Sequence, residues 1–238
     1  MVASQFATSP AGPHAASHHA AGQWHGGASP AAYKYYHHWY AHHYHPWGAV
    51  SWTRLAAWTA VAFRPVYYNY QIVDGTVYQD GESIGSTEDV AAKAAALVLD
   101  ASTSAQSAMP TGAEGLAQSD QDWLPLGVFA VMPSLDGNYE VAVQLAIDRD
   151  GHLAGTYRNL AGGVTLPITG GIDAQGQQAA WQIGETDPIV MQTGLDNLTR
   201  NASPVLIFFP DGASERWILE RLREDEAIRA LGEPEADE

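Results

Sequence analysis

The chain has 238 residues, no cysteine and a formal net charge of −16 at pH 7. The lack of cysteine excludes disulfide bonds, thiolate zinc sites and thiol catalysis. The acidic balance disfavours contact with phosphate backbones, so we expect no nucleic-acid partner. The sequence contains no phosphate loop ending in Gly-Lys-Ser/Thr and no His-Glu-x-x-His pair. It therefore predicts a protein that is not an enzyme.

Residues 1–46 form a leader rich in alanine, glycine, histidine and tyrosine. Nine of the ten histidines lie in its first 45 residues. Apart from histidine, Lys34 is the only residue of the leader with an ionisable acidic or basic group among lysine, arginine, aspartate and glutamate. Branched aliphatic residues are almost absent, so burial cannot offset the entropy cost of ordering this segment. We expect the leader to be disordered.

The densest histidine cluster of the leader predicts a weak metal site, formed by His37, His38, His42, His43 and His45. Neutral imidazoles bind zinc, copper or nickel. Because no carboxylate is nearby to orient the rings, such a site would be adaptable and poorly selective. We therefore expect no resident cofactor, only an adventitious transition metal. The alternatives are a pH-dependent or adhesive surface tract, and a low-complexity segment without a selected role.

Residues 47–63 predict an apolar, tryptophan-rich helix. Their sequence is WGAVSWTRLAAWTAVAF, with Arg54 as the single charge. A membrane span needs about 20 apolar residues, and this run is shorter and interrupted. We expect the helix to lie on a membrane surface, to pack on a partner or to pack on its own domain, and a membrane span is the less favoured alternative.

Residues 66–101 predict a β-hairpin followed by a helix. Asp74-Gly75 lies between two β-prone runs, which is a hairpin signal. Ser86 then offers an N-cap, and acidic residues follow in the first turn of an alanine-rich helix that extends to about Ala101. Residues 102–121 are polar and contain proline and glycine, so they predict a linker.

Residues 122–223 predict an antiparallel β domain, because short apolar runs alternate with turn residues along this stretch. One expected strand places Val141, Val143, Leu145 and Ile147 on one face. About eight strands in roughly 100 residues favour a mainly β fold, a small antiparallel up-and-down β-barrel, with a β-sandwich as the alternative. Residues 224–238 predict an acidic tail, helical and solvated at its start. The strands are expected near residues 126–132, 139–147, 152–159, 164–172, 179–183, 189–193, 205–209 and 216–223.

Two tryptophans of the β domain, Trp181 and Trp217, are candidate ligand-pocket residues. Eight-stranded barrels either hold a small ligand or are filled by their own side chains. Both residues alternate with, or follow, apolar partners, and this favours core packing over a pocket.

The sequence Asp148-Arg149-Asp150-Gly151 is similar to the opening of a calcium loop. The residues that follow, beginning with His152, lack the later acidic ligands of such a loop. We therefore predict a hairpin turn in which Asp150 and Gly151 adopt positive φ angles, with His152 structural or solvated.

Several segments together resemble a family. They are WTRLAAWTAVAF, YYNYQIVDGTVYQDGE, WLPLGVFAV, VQLAIDRDGHLAGTY, AAWQIG, TGLDNLT and ERWILERL. In combination they are similar to planctomycete proteins labelled "mu-protocadherin, putative cell-surface protein", over about residues 40–223. The resemblance implies placement in the cell envelope or at the cell surface, outside the cytoplasm, with no assigned activity or functional residues. The first residues show no secretory signal.

The expected function is therefore that of a non-enzymatic structural or interaction protein of the cell envelope or cell surface. Its expected partners are a cell wall, another protein, or a membrane surface contacted through residues 47–63. The alternative is a lipocalin-like barrel that binds a small apolar ligand.

Overall fold

The computed structural model describes residues 49–62, 64–108, 123–135 and 138–231. The strands of these ranges are β1 (Tyr70–Val73), β2 (Thr76–Gln79), β3 (Glu82–Ser86), β4 (Trp123–Met132), β5 (Val141–Asp148), β6 (His152–Asn159), β7 (Thr165–Asp173), β8 (Gln178–Ile183), β9 (Ile189–Gly194), β10 (Ala202–Phe208) and β11 (Ser214–Arg221). The helices are α1 (Trp52–Trp58), α2 (Thr87–Ala108) and α3 (Glu224–Leu231), with a 3-10 helix at Asp196–Thr199.

Strands β4 to β11 form a closed barrel. Each strand pairs antiparallel with the next one in the chain, and β11 closes the barrel by pairing with β4. The predicted eight-stranded up-and-down barrel is thus confirmed, and the β-sandwich is excluded. Closure pairs the edges that an open sheet would leave free.

The side chains that point into the barrel form one hydrophobic cluster, called the inner core here. On β5 it contains the four alternating residues that the sequence predicts to share a face. Its largest fully buried side chain is Trp181 on β8. Gly170 on β7 pairs with Trp181, and a Cβ on this glycine would lie only 2.6 Å from Trp181 Cα. Glycine is therefore required where these two strands approach each other closely.

Two further layers cover the outside of the barrel. The sheet β1–β3 and helix α2 pack over β7 to β10, where Tyr70 and Val98 join a cluster with Leu206 and Phe208. Helix α3 packs over β4, β5 and β11. The start of the acidic tail is helical as predicted. Its apolar face packs on the barrel and buries Leu231, whereas Glu224, Asp225 and Arg229 are exposed.

The predicted hairpin is formed by β1 and β2. Asp74 and Gly75 both adopt positive φ angles, 48° and 72°, as a two-residue hairpin turn requires. A second turn of the same kind, Asp80-Gly81, leads into β3. The sequence analysis missed β3 because its residues, ESIGS, include only one branched aliphatic side chain.

Helix α2 begins where predicted and extends seven residues beyond the expected end. Asp89 N donates to Ser86 Oγ at 3.0 Å, and Asp89 Oδ2 accepts from Ser86 N at 3.4 Å, so the two residues cap the helix reciprocally. The hydroxyls of Ser102, Thr103 and Ser104 donate to carbonyls four residues back. These bonds satisfy the hydroxyl groups inside the helix. The first part of the predicted linker is thus helical, up to Ala108.

Helix α1 covers seven residues and is shorter than the predicted helix, which spanned residues 47–63. Ser51 caps its start, accepting from Arg54 N, and Ala60, with a φ of 54°, lies just beyond its end. Leu55 is fully buried in the inner core. The helix therefore packs on its own domain, one of the predicted arrangements. Among the described residues, no helix has both the length and the apolar character that a membrane crossing requires.

Candidate functional site

The segment around α1 covers one end of the barrel, called the covered end here. Val50, Leu55 and Val61 enter the inner core. The indole N–H of Trp58 donates to Ile147 O at 3.2 Å, and the Arg149 guanidinium lies 4.0 Å from the centre of the Trp58 ring. These contacts attach the segment around α1 to the end of β5 and the turn between β5 and β6.

Asn197 anchors the chain that follows this segment. It lies in the 3-10 helix and is fully buried. Its Oδ1 accepts from Tyr68 N at 2.9 Å, and its Nδ2 donates to Tyr68 O at 2.9 Å and to Thr193 Oγ1 at 3.0 Å. One side chain therefore satisfies both backbone groups of Tyr68.

Arg221 is a partly buried cation at the same end. Its guanidinium donates to Leu126 O and to Leu198 O, both at 2.6 Å, and lies 4.6 Å from the centre of the Phe129 ring. Burial lowers the pKa of the Arg221 guanidinium to about 10. Gly127 leaves the space that the guanidinium fills. The arginine joins β4 to the 3-10 helix, which is a structural role.

The opposite end of the barrel carries half-buried apolar side chains. Leu166, Ile189, Phe209 and Trp217 pack against the inner core and stay partly exposed. We call these four residues the rim. Glu215 lies on the same face of β11 as Trp217, and its Oε2 accepts from the Trp217 indole N–H at 2.5 Å. The rim thus combines apolar surface with one carboxylate.

The turns at this end are acidic. The β8–β9 turn contributes Glu185 and Asp187, and the β10–β11 turn contributes Asp211, all three exposed. Neither turn contains lysine or arginine. The charges that these two turns place beside the rim are therefore negative.

The two predicted pocket tryptophans differ in exposure. Trp217 lies at the rim and is half-buried, whereas Trp181 lies in the middle of β8 with no exposed surface. The Trp181 indole N–H has no hydrogen-bond partner among the described residues. A molecule at the rim would meet Trp217, but it would reach Trp181 only if the inner core opened.

The β5–β6 turn brings together three side chains that the sequence analysis had not grouped. His152 Nδ1 lies 2.7 Å from Asp148 Oδ2, and ligand atoms of Asp148, Asp150 and His152 all lie within 4.8 Å of one another. The prediction of two positive φ angles is wrong, because only Gly151, with a φ of 88°, has one. The spacing Asp-x-Asp-x-His across a strand–turn–strand segment was the signal for this cluster.

The sequence analysis also overlooked a pattern of serine hydrolases. Residues 81–85 read Gly-Glu-Ser-Ile-Gly, which matches the Gly-x-Ser-x-Gly elbow. In that elbow the serine lies at a sharp turn between a strand and a helix. Ser83 instead lies within β3 of an antiparallel sheet and is exposed. The structural context of a nucleophile elbow is therefore lacking at Ser83.

The predicted metal ligands His37, His38, His42, His43 and His45 lie outside the described residues, so the leader site stays a prediction. Comparison with known proteins finds no family model, no curated protein and no solved structure that matches the chain.

Proposed function

We propose that this chain is a non-enzymatic structural or interaction protein of the cell envelope or cell surface. The observation that carries the proposal is the inner core, with Trp181 fully buried at its centre. Close packing of a barrel interior gives a rigid body and leaves little room for a substrate inside. The contact surface would then lie outside the barrel.

The proposed partner is a cell wall or another protein. A membrane surface contacted through residues 47–63 is less favoured, because Leu55 is packed into the inner core and Trp52 and Trp58 are half-buried against it. Membrane-surface helices instead keep their apolar face free to enter the lipid interface. The leader, with its tyrosines and histidines, is the remaining candidate for contact with the partner.

Fractionation of the source organism tests this placement. Antibodies against the barrel should detect the chain in the envelope fraction, and protease added to intact cells should remove the signal. A cytosolic enzyme, which the protease should leave intact, serves as the control. Recovery of the chain with that enzyme, protected from protease, would overturn the proposal.

A second candidate function is binding of a small apolar molecule that carries an amine. The observation that favours it is the rim, where Leu166, Ile189, Phe209 and Trp217 are partly exposed beside the Glu215 carboxylate. The alkyl part of such a molecule would cover the rim, and its ammonium group would pair with Glu215.

We expect Glu215→Gln to weaken octylamine binding about tenfold, because the substitution removes the charge that pairs with the ammonium group, a loss of about 1.4 kcal/mol. Isothermal titration calorimetry would measure the affinity. Octanol, which lacks the charge, should bind equally to both proteins. Glu220→Gln is the matched control, since Glu220 alternates with Trp217 and Leu219 and so faces outward. Equal affinity of the parent and Glu215→Gln for octylamine would contradict this candidate.

A further inference from the structure

The β5–β6 turn presents an imidazole and two carboxylates at one point of the barrel. Ligand atoms of Asp148, Asp150 and His152, called the turn triad here, lie within 4.8 Å of one another. The side chains of His152 and Asp148 are 15% and 19% exposed. We propose that the turn triad binds a divalent transition-metal ion, with zinc as the best match. This site uses none of the leader histidines and is independent of the proposed function.

Hydrogen bonds fix the position of the first carboxylate. Asp148 Oδ1 accepts from Asp150 N at 2.9 Å and from His152 N at 2.8 Å. Its Oδ2 is thereby directed at His152 Nδ1, where the ion would take the place of the bridging proton. Ligands of metal sites are commonly oriented by such outer hydrogen bonds. Asp150 is exposed, so its carboxylate is free to rotate toward the other two groups.

The charge of the turn suits a cation. Arg149 is the only lysine or arginine in residues 148–152, and its guanidinium lies over the Trp58 ring, 4.0 Å from the ring centre. The positive charge of Arg149 is thus engaged by Trp58, in the segment around α1. The two carboxylates of the triad therefore supply the negative charge that neutralises a divalent ion.

The mix of ligands selects the class of ion. Zinc binds imidazole nitrogen and carboxylate oxygen at about 2.0–2.2 Å, so ligand atoms of one ion lie roughly 3–4 Å apart. To reach this spacing, Asp150 must move closer, and His152 Nδ1 and Asp148 Oδ2 must separate beyond their present 2.7 Å. Calcium and magnesium prefer oxygen ligands, and calcium takes more of them than this turn offers. Three protein ligands would leave one zinc position for water.

Zinc titration of the full chain tests the proposal. The leader histidines would also bind zinc. The protein used as the parent in this test therefore carries asparagine in place of all nine of them. Calorimetry should give one zinc per chain with a dissociation constant in the micromolar range. Asp150→Asn and His152→Asn should each weaken binding at least tenfold. Asp74→Asn, an exposed turn aspartate of the β1–β2 hairpin, is the matched control and should bind as the parent does.

Cobalt gives a second readout, because tetrahedral cobalt(II) absorbs visible light when bound. The absorption should appear in the parent and in Asp74→Asn, and be lost in both triad variants. Circular dichroism checks that each variant keeps the β fold, and His152→Asn provides the test if Asp150→Asn does not fold. The proposal is overturned if the parent binds no zinc, or if a folded triad variant binds it as tightly as the parent.

Discussion

Replacing Trp181 by alanine is expected to lower the free energy of unfolding by about 4 kcal/mol. The Trp181 side chain is fully buried in the inner core, and truncating a buried tryptophan removes its burial energy and leaves a cavity, at a cost of about 3–5 kcal/mol. A domain of this kind is stable by only about 5–15 kcal/mol. Urea unfolding at pH 7, followed by circular dichroism, would measure the loss.

Trp217→Ala is the matched control for this prediction. Trp217 belongs to the same barrel but is half-buried at the rim, so its truncation should cost clearly less, about 2 kcal/mol. Trp181→Phe keeps an aromatic ring in the core. Its loss of free energy of unfolding should lie between those of Trp181→Ala and Trp217→Ala. If Trp217→Ala destabilised the protein as much as Trp181→Ala, the inner core would not be centred on Trp181.

Asn197→Ala is expected to lower the free energy of unfolding by about 3 kcal/mol. The substitution leaves Tyr68 N and Tyr68 O, both now bonded to the Asn197 side chain, without partners in a buried site. Each buried polar group left unpaired costs about 1–3 kcal/mol. Urea unfolding measures the total effect, and hydrogen exchange at the Tyr68 amide measures the local one.

Asn69→Ala, one residue from Tyr68 and partly exposed, is the matched control, with an expected change within about 0.5 kcal/mol. In Asn197→Ala the Tyr68 amide should exchange much faster under native conditions, while amides at the middle of β5 stay protected. Unchanged protection of Tyr68 would show that other contacts hold this segment at the covered end.

Much of the fold could be predicted from the sequence. The alternation in β5 identified the four residues that enter the inner core, and the Asp-Gly pair at residues 74–75 identified the β1–β2 hairpin. Both are local signals, since strands alternate faces with a period of two and a two-residue turn needs positive φ angles. β3 escaped prediction because glycine and serine in ESIGS carry little strand preference.

The two candidate sites, the rim and the turn triad, were less predictable from the sequence. Trp217 was a candidate pocket residue, with core packing favoured. The pairing of its indole with Glu215 at 2.5 Å depends on the side-chain conformations of β11. His152 was treated as isolated although Asp148 is only four residues away. A three-residue turn, with positive φ at Gly151 alone, brings the two side chains to 2.7 Å. The assumed two-residue turn would have placed them differently.

The sequence by itself determined the number of barrel strands and the inward face of β5. Each follows from residues close together in the chain. Only the tertiary structure decided that α1 covers one barrel end, that Trp181 is buried while Trp217 is half-exposed, and that Asn197 holds Tyr68. These features depend on contacts such as Trp58 with Ile147 and Tyr68 with Asn197, which join residues 89 and 129 positions apart. Local patterns do not specify such contacts, because they form only when the closed barrel brings distant segments together.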